Sequence, residues 1–162
     1  MKKLNCISVL LFLLLSGFVS FQIDGKAFYK ALSSGSENTL DSALADLEKR
    51  KQSSQNSAYQ GALLMKKAGF VKGVKEKVKT FKAGAKLLEA EIDKNPGNVE
   101  YKFLRLTIQE HAPKVLHYDK QLKSDKAAII NGYEKLDATL KSVIADYAQS
   151  SKVLKVPDLK GK

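Results

Sequence analysis

The residues best placed to do chemistry in this chain are five lysines. Lys72, Lys75, Lys79, Lys82 and Lys86 recur at spacings of 3, 4, 3 and 4. On a helix of about 3.6 residues per turn they fall in a stripe roughly 80° wide. The stripe lies one residue beyond an apolar seam of Val71, Val74, Val78, Phe81 and Ala85. Like charges three and four residues apart repel by a few tenths of a kcal/mol per pair. An opposing anionic surface would offset that repulsion: acidic residues of a neighbouring helix, an anionic membrane or a polyanion. The alternative is a solvated face whose lysine stems cover the edge of the core. These five lysines are the anion-binding candidates.

A second constellation lies further on. Tyr101, Arg105 and Gln109 are spaced i, i+4, i+8 and share one helix side, with Glu110 next to them. Arg50 and Arg105 are the only arginines in a chain that otherwise uses lysine. A guanidinium offers carboxylates a planar fork that an ammonium lacks. Tyr101, Arg105, Gln109 and Glu110 are therefore the partner-binding candidates, a small polar groove for a carboxylate or a helix end. The competing reading is an internal Arg–carboxylate bond that fixes helix packing.

The signals for catalysis are missing. His111 and His117 are six residues apart with Pro113 between them, which is not a helical metal-ligand spacing. His111 suits a helix C-terminus, where the dipole favours it. There is no HExxH, GxSxG or P-loop, and the single cysteine, Cys6, lies near the N-terminus. The expectation is a non-enzyme with no catalytic residues, no metal and no cofactor. Two arginines and no base-reading motif argue against a nucleic-acid partner.

The elements that must position these residues are helices. The 162 residues suit one domain, and 44% hydrophobic content suffices for a core. Alternating strand patterns and Asn-Gly or Asp-Gly hairpin turns are absent, whereas apolar residues recur every three or four positions. Asp24 is a candidate N-cap for a first helix carrying Ala27, Phe28, Ala31 and Leu32. Ser36 can cap a second helix with Leu40, Ala43, Leu44 and Leu47. The polar run from Gln52 to Ser57 reads as a loop before a third helix with Tyr59, Ala62, Leu63 and Phe70.

A fourth helix from about Gly73 to Lys94 has a seam of Val74, Val78, Phe81, Ala85, Leu88 and Ile92. Gly84 sits beside that seam at a cost of about 1 kcal/mol against Ala, which close approach of a neighbouring helix would compensate. Asn95-Pro96-Gly97-Asn98 stops this helix, and Asn98 can cap a fifth with Val99, Phe103, Leu104 and Ile108. Residues 120–151 form one kinked helix or two short ones, with Asp137 available as a cap. From Lys152 the chain is polar and reads as a basic, flexible tail through residue 162.

The N-terminus speaks to compartment. Lys2 and Lys3 precede an apolar run from Ile7 to Phe21, the pattern of a secretory signal cleaved at about residues 17–22. A retained N-terminal anchor in the inner membrane is the alternative. Cys6 precedes the run and so cannot become a lipidated first residue. The reading is a signal at 1–21, a helical domain at 24–151 and a tail at 152–162, exported and periplasmic.

The formal charge of +11 is unevenly spread. Residues 66–86 carry eight lysines against Glu76 alone, and residues 152–162 carry four against Asp158. Any function that uses charge has to use those lysines.

The segment from Leu87 to Leu106 reads LLEAEIDKNPGNVEYKFLRL. It resembles the junction between two tetratricopeptide-like units, where a Pro near the end of one helix pair turns the chain into the next. The longer stretch EYKFLRLTIQEHAPKVLHY is similar to a family of short, exported bacterial helical proteins of unassigned activity. The resemblance implies a similar fold and brings no substrate or catalytic residues with it. The combined reading is an all-α chain of six or seven antiparallel amphipathic helices with tetratricopeptide-like packing. Its expected role is non-enzymatic protein–protein contact in the cell envelope. The alternative is binding to an anionic membrane or polyanion surface through the stripe of residues 72–86.

Overall fold

The computed structural model describes residues 25–159. They form seven α-helices and three short 3₁₀ turns. The helices are α1 (Gly25–Ser33), α2 (Glu37–Glu48), α3 (Ser54–Lys67), α4 (Val74–Lys94), α5 (Val99–His111), α6 (Leu122–Gly132) and α7 (Ala138–Ser150). The all-α expectation holds. The N-terminal signal, its cleavage site and the Asp24 cap lie outside the described residues.

Side-chain caps start four of these helices. Ser36 Oγ accepts from Thr39 N at 3.4 Å, Ser53 Oγ from Asn56 N at 3.1 Å and Asn98 Oδ1 from Tyr101 N at 3.0 Å. Asp137 Oδ1 accepts from Leu140 N at 3.0 Å, so the chain breaks before α7 and residues 122–150 form two helices. Each cap satisfies an amide that the first helical turn leaves unpaired. The polar run expected as a loop is shorter than anticipated. Ser53 caps α3, and Ser54 to Ser57 are already helical.

Helix α3 is the hub. It packs on α1, α2, α4 and α5, and buries Ala58, Tyr59, Gly61, Ala62, Leu63 and Met65. Its tightest partner is α4, and two glycines make that possible. A Cβ on Gly84 would lie 2.5 Å from Gly61 O and 2.8 Å from Met65 N. A Cβ on Gly61 would lie 2.7 Å from Gly84 O. The helices therefore touch backbone to backbone, the close approach that Gly84 required.

Helix α7 returns to pack on α1, so the first and last helices of the described chain meet. A simple stack of helix pairs, in which each unit touches only its neighbours, lacks such a contact. Residues 152–159, expected as a loose tail, are held instead. Leu154 is fully buried, and Leu159 is buried at the end of a last 3₁₀ turn. Their burial removes two leucine side chains from water, worth about 1.5–3 kcal/mol each. Lys126 and Asp158 close the segment with an ion pair at 2.7 Å.

Candidate functional site

Four of the five lysines, Lys75, Lys79, Lys82 and Lys86, lie on the N-terminal two-thirds of α4, whereas Lys72, expected on the same helix, precedes it in the turn of residues 68–73. The helix starts after Gly73, whose φ of +81° is conformation that a glycine adopts at little cost. Lys72, Lys75, Lys79, Lys82 and Lys86 are all exposed. Of the five, only Lys79 meets a carboxylate among the described residues, Glu76 on its own helix at a loose 3.8 Å. Among the described residues no neighbouring helix brings an acidic face to them. The possibility of an internal counter-surface is therefore closed for the described residues, which leaves a solvated face or an external anion.

The seam beside the stripe has two parts. Phe81, Leu88 and Ile92 are buried, and Ala85 is half-buried against them. Val78 is only half-buried, and Val74 is 79% exposed. The reason is length. Helix α3 ends at Lys67, and α4 begins after the turn of residues 68–73. The first turns of α4 thus keep an apolar edge with little to cover it, next to a row of cations.

The second constellation is internal, which corrects its reading as a partner groove. Arg105 is 8% exposed. Its Nε donates to Asp125 Oδ2 at 2.7 Å and its Nη2 to Asp125 Oδ1 at 2.7 Å. Its Nη1 donates to Glu89 Oε2 at 2.5 Å, and Tyr118 Oη donates to Glu89 Oε1 at 2.5 Å. One guanidinium thus ties α4, α5 and α6 together. Burial works against its charge, but hydrogen bonding and attraction to Asp125, then Glu89, hold it more firmly protonated than a free arginine.

The other three candidates are occupied as well. Tyr101 is buried in the core. Gln109 is buried and donates through Nε2 to Gln121 Oε1 at 2.9 Å. Glu110 accepts from Tyr147 Oη at 2.6 Å, from Ser151 Oγ at 2.5 Å and from Lys152 N. Burial pushes its carboxyl up, but these donors outweigh burial and hold it below the usual carboxylate range. All four residues serve the fold.

A third polar centre was not anticipated. Glu100 Oε1 accepts from Tyr59 Oη at 2.5 Å and from Tyr29 Oη at 3.0 Å. Burial first, and the Glu100 carboxylate second, push both phenols well above their ordinary value. Residues 100 and 110 thus hold three tyrosines, while Glu89 holds a fourth. The sequence offered only one pointer to this system, the isolated arginine at 105. Partners 20, 29, 37 and 41 residues apart leave no mark on local periodicity.

His111 ends α5, as expected, with Nδ1 2.9 Å from Thr107 O. No group of three or more His, Cys, Asp or Glu suited to a metal occurs among the described residues. No helix among them is long and apolar enough to cross a membrane. No family model, curated protein or solved structure matches this chain.

Proposed function

We propose that this chain is a non-enzymatic, exported helical module that docks on an anionic surface, in first place a membrane, through the basic face of α4. One observation carries the reading. Four exposed lysines run along one face of α4 and Lys72 stands exposed in the turn before it, with a single loose acidic neighbour among the described residues, beside an apolar edge left uncovered at Val74 and Val78. Cations beside exposed apolar side chains suit the headgroup boundary of a bilayer.

Each lysine near an anionic membrane contributes about 1 kcal/mol, screened by salt. Changing Lys75, Lys79 and Lys82 to Gln removes about 3 kcal/mol, or roughly 100-fold in affinity. Co-sedimentation with phosphatidylglycerol vesicles is expected to show salt-sensitive binding that the triple variant loses. Phosphatidylcholine vesicles are expected to retain neither protein. Equal binding of both proteins to anionic vesicles would sink the reading.

The second reading is a protein partner in the cell envelope, with the Asn95–Asn98 turn as a tetratricopeptide-like junction. Val115, 79% exposed in the 3₁₀ turn after α5, favours it. That reading no longer has Tyr101, Arg105, Gln109 and Glu110 to work with. A saturable protein recovered from envelope extracts by the triple lysine variant would support it over membrane docking.

A further inference from the structure

Helices α1, α5 and α7 stand away from the first turns of α4. They leave an open groove of about 1210 Å³. This exceeds the roughly 300–1,000 Å³ of ordinary small-molecule sites. Its accessible apolar walls include Phe70, Val74, Val78, Val115, Leu116 and Val143. The groove exists because α4 outruns α3 and because α7 meets α1 but has no extensive packing on α4.

The charged residues along the groove are one-sided. Lys26 and Lys30 of α1, Lys66 near the end of α3 and Lys77 of α4 line it, against the one carboxylate of Asp146. Lys26 and Lys30 are four residues apart and share a helix face. Lys77 Nζ is held at 2.9 Å by Gly69 O, which stations an ammonium beside the turn that leads into α4. None of these four lysines belongs to the stripe described above.

We propose that this groove binds a single-chain anionic amphiphile, its hydrocarbon tail on the apolar walls and its carboxylate or phosphate head among these lysines. Charge complementarity selects the head, because four cations face one anion. The wall chemistry selects the tail. An extended peptide laid there would strand backbone N–H and C=O groups against hydrocarbon, whereas an acyl chain carries no such groups. The inference uses other lysines than membrane docking, while Val74 and Val78, the apolar edge beside the stripe, line the groove as well.

The test titrates the full chain with hexadecanoate and with hexadecyl phosphate, each below its micelle-forming concentration. Hexadecanol and hexadecyltrimethylammonium are the neutral and cationic controls. Saturable binding of an anionic ligand, at least tenfold tighter than either control, is expected; the carboxylate and phosphate arms identify the preferred head. The exposed pair Lys30→Glu and Lys77→Glu is expected to weaken binding at least tenfold. Ser142→Trp, at an exposed α7 position lining the groove, is expected to block it. Circular dichroism and a thermal melt verify that each variant is folded. The Lys75, Lys79 and Lys82 to Gln variant is expected to bind the amphiphile unchanged, which separates this site from the stripe.

Equal affinity for anionic, neutral and cationic amphiphiles would overturn the proposal. So would full binding by both folded groove variants. Absence of binding by the full chain would overturn it too and assign the groove to another occupant, such as a protein helix or the chain's own apolar run at residues 7–21.

Discussion

Arg105 is the residue that ties α4, α5 and α6 through one buried polar contact. It holds Asp125 in a two-point contact, and Asp125 is only 1% exposed. Removing one partner of a buried pair leaves an uncompensated charge, a loss of about 3–5 kcal/mol. Urea unfolding of Arg105→Ala is expected to show a loss in that range. Arg105→Lys is expected to fall short of wild type as well, because an ammonium cannot present two parallel donors to Asp125 together with a third to Glu89. A variant as stable as wild type would remove Arg105 from its place at the centre of the fold.

Titration offers a second residue-scale prediction with two limbs. Glu110 is depressed when folded, as are Glu91, held first by Lys94, and Asp158, held first by Lys126. Their stabilisation is complete above the ordinary carboxylate values of 4.5 and 3.8 and is lost as pH falls through the lower folded values. Glu110→Gln is expected to flatten the acid limb of stability against pH. Tyr29, Tyr59, Tyr118 and Tyr147 are raised above 10.0, chiefly by burial. Their contribution is intact below pH 10.0 and is lost as pH rises beyond it. Phenolate absorbance is expected to show these four tyrosines ionising late, together with unfolding.

At the scale of elements, the α3–α4 pair sets a backbone-to-backbone crossing that no side chain can enter. Alanine at position 84 would gain up to about 1 kcal/mol of helix propensity. Against that, its Cβ would meet two backbone atoms, at 2.5 and 2.8 Å, which cannot turn aside. Thermal unfolding of Gly84→Ala is expected to show a net loss of about 1–3 kcal/mol. A stabilised variant would mean that the helices part more easily than the contact implies. The caps at Ser36, Asn98 and Asp137, the break at Asn95–Asn98 and the later part of the α4 seam, from Phe81 to Ile92, were legible in the sequence. Each is a local signal, a residue type set at a fixed offset from an apolar period. The carboxylates Glu89, Glu100 and Asp125 were not legible, since a buried acid and a solvated one look alike until its partner's helix is placed. The same holds for residues 152–159. Leu154 and Leu159 are too sparse to announce a face, and Ser151, Lys155 and Asp158 supply the turn contacts that set them on the core.

For the molecule as a whole, the last described segment decides how firmly the bundle closes. Leu154 is fully buried and Ser151, just before it, binds Glu110 of α5. Leu154→Ala is expected to cost about 2–5 kcal/mol in chemical denaturation. A loss within a few tenths of a kcal/mol would make residues 152–159 an appendage. The external face follows a different logic from the interior. Glu89, Glu100, Glu110, Asp125, four tyrosines and Arg105 are spent on internal bonds, whereas the lysines of residues 72–86 stay exposed with one loose acidic neighbour among the described residues. That division is why the lysine stripe could be read from sequence while the groove beside α1 and α7 could not. The stripe is a property of one helix, whereas the groove is a gap between several.

The meeting of α1 with α7 has a kinetic consequence. It joins residues more than a hundred positions apart, whereas the bonds from Glu110 to Ser151 and Lys152 span 41 and 42. Contacts of that separation form slowly, because a long loop must close before they contribute anything. A chain made from its N-terminus has α1 waiting without its partner until residues 138–150 have emerged. The α3–α4 hairpin can form early, and the bundle as a whole can close only late. In the interval between those two events Phe28 already has Tyr59 of α3 to stack on, but the side of α1 that meets α7 stands uncovered, open to a chaperone, a protease or a second copy of the chain.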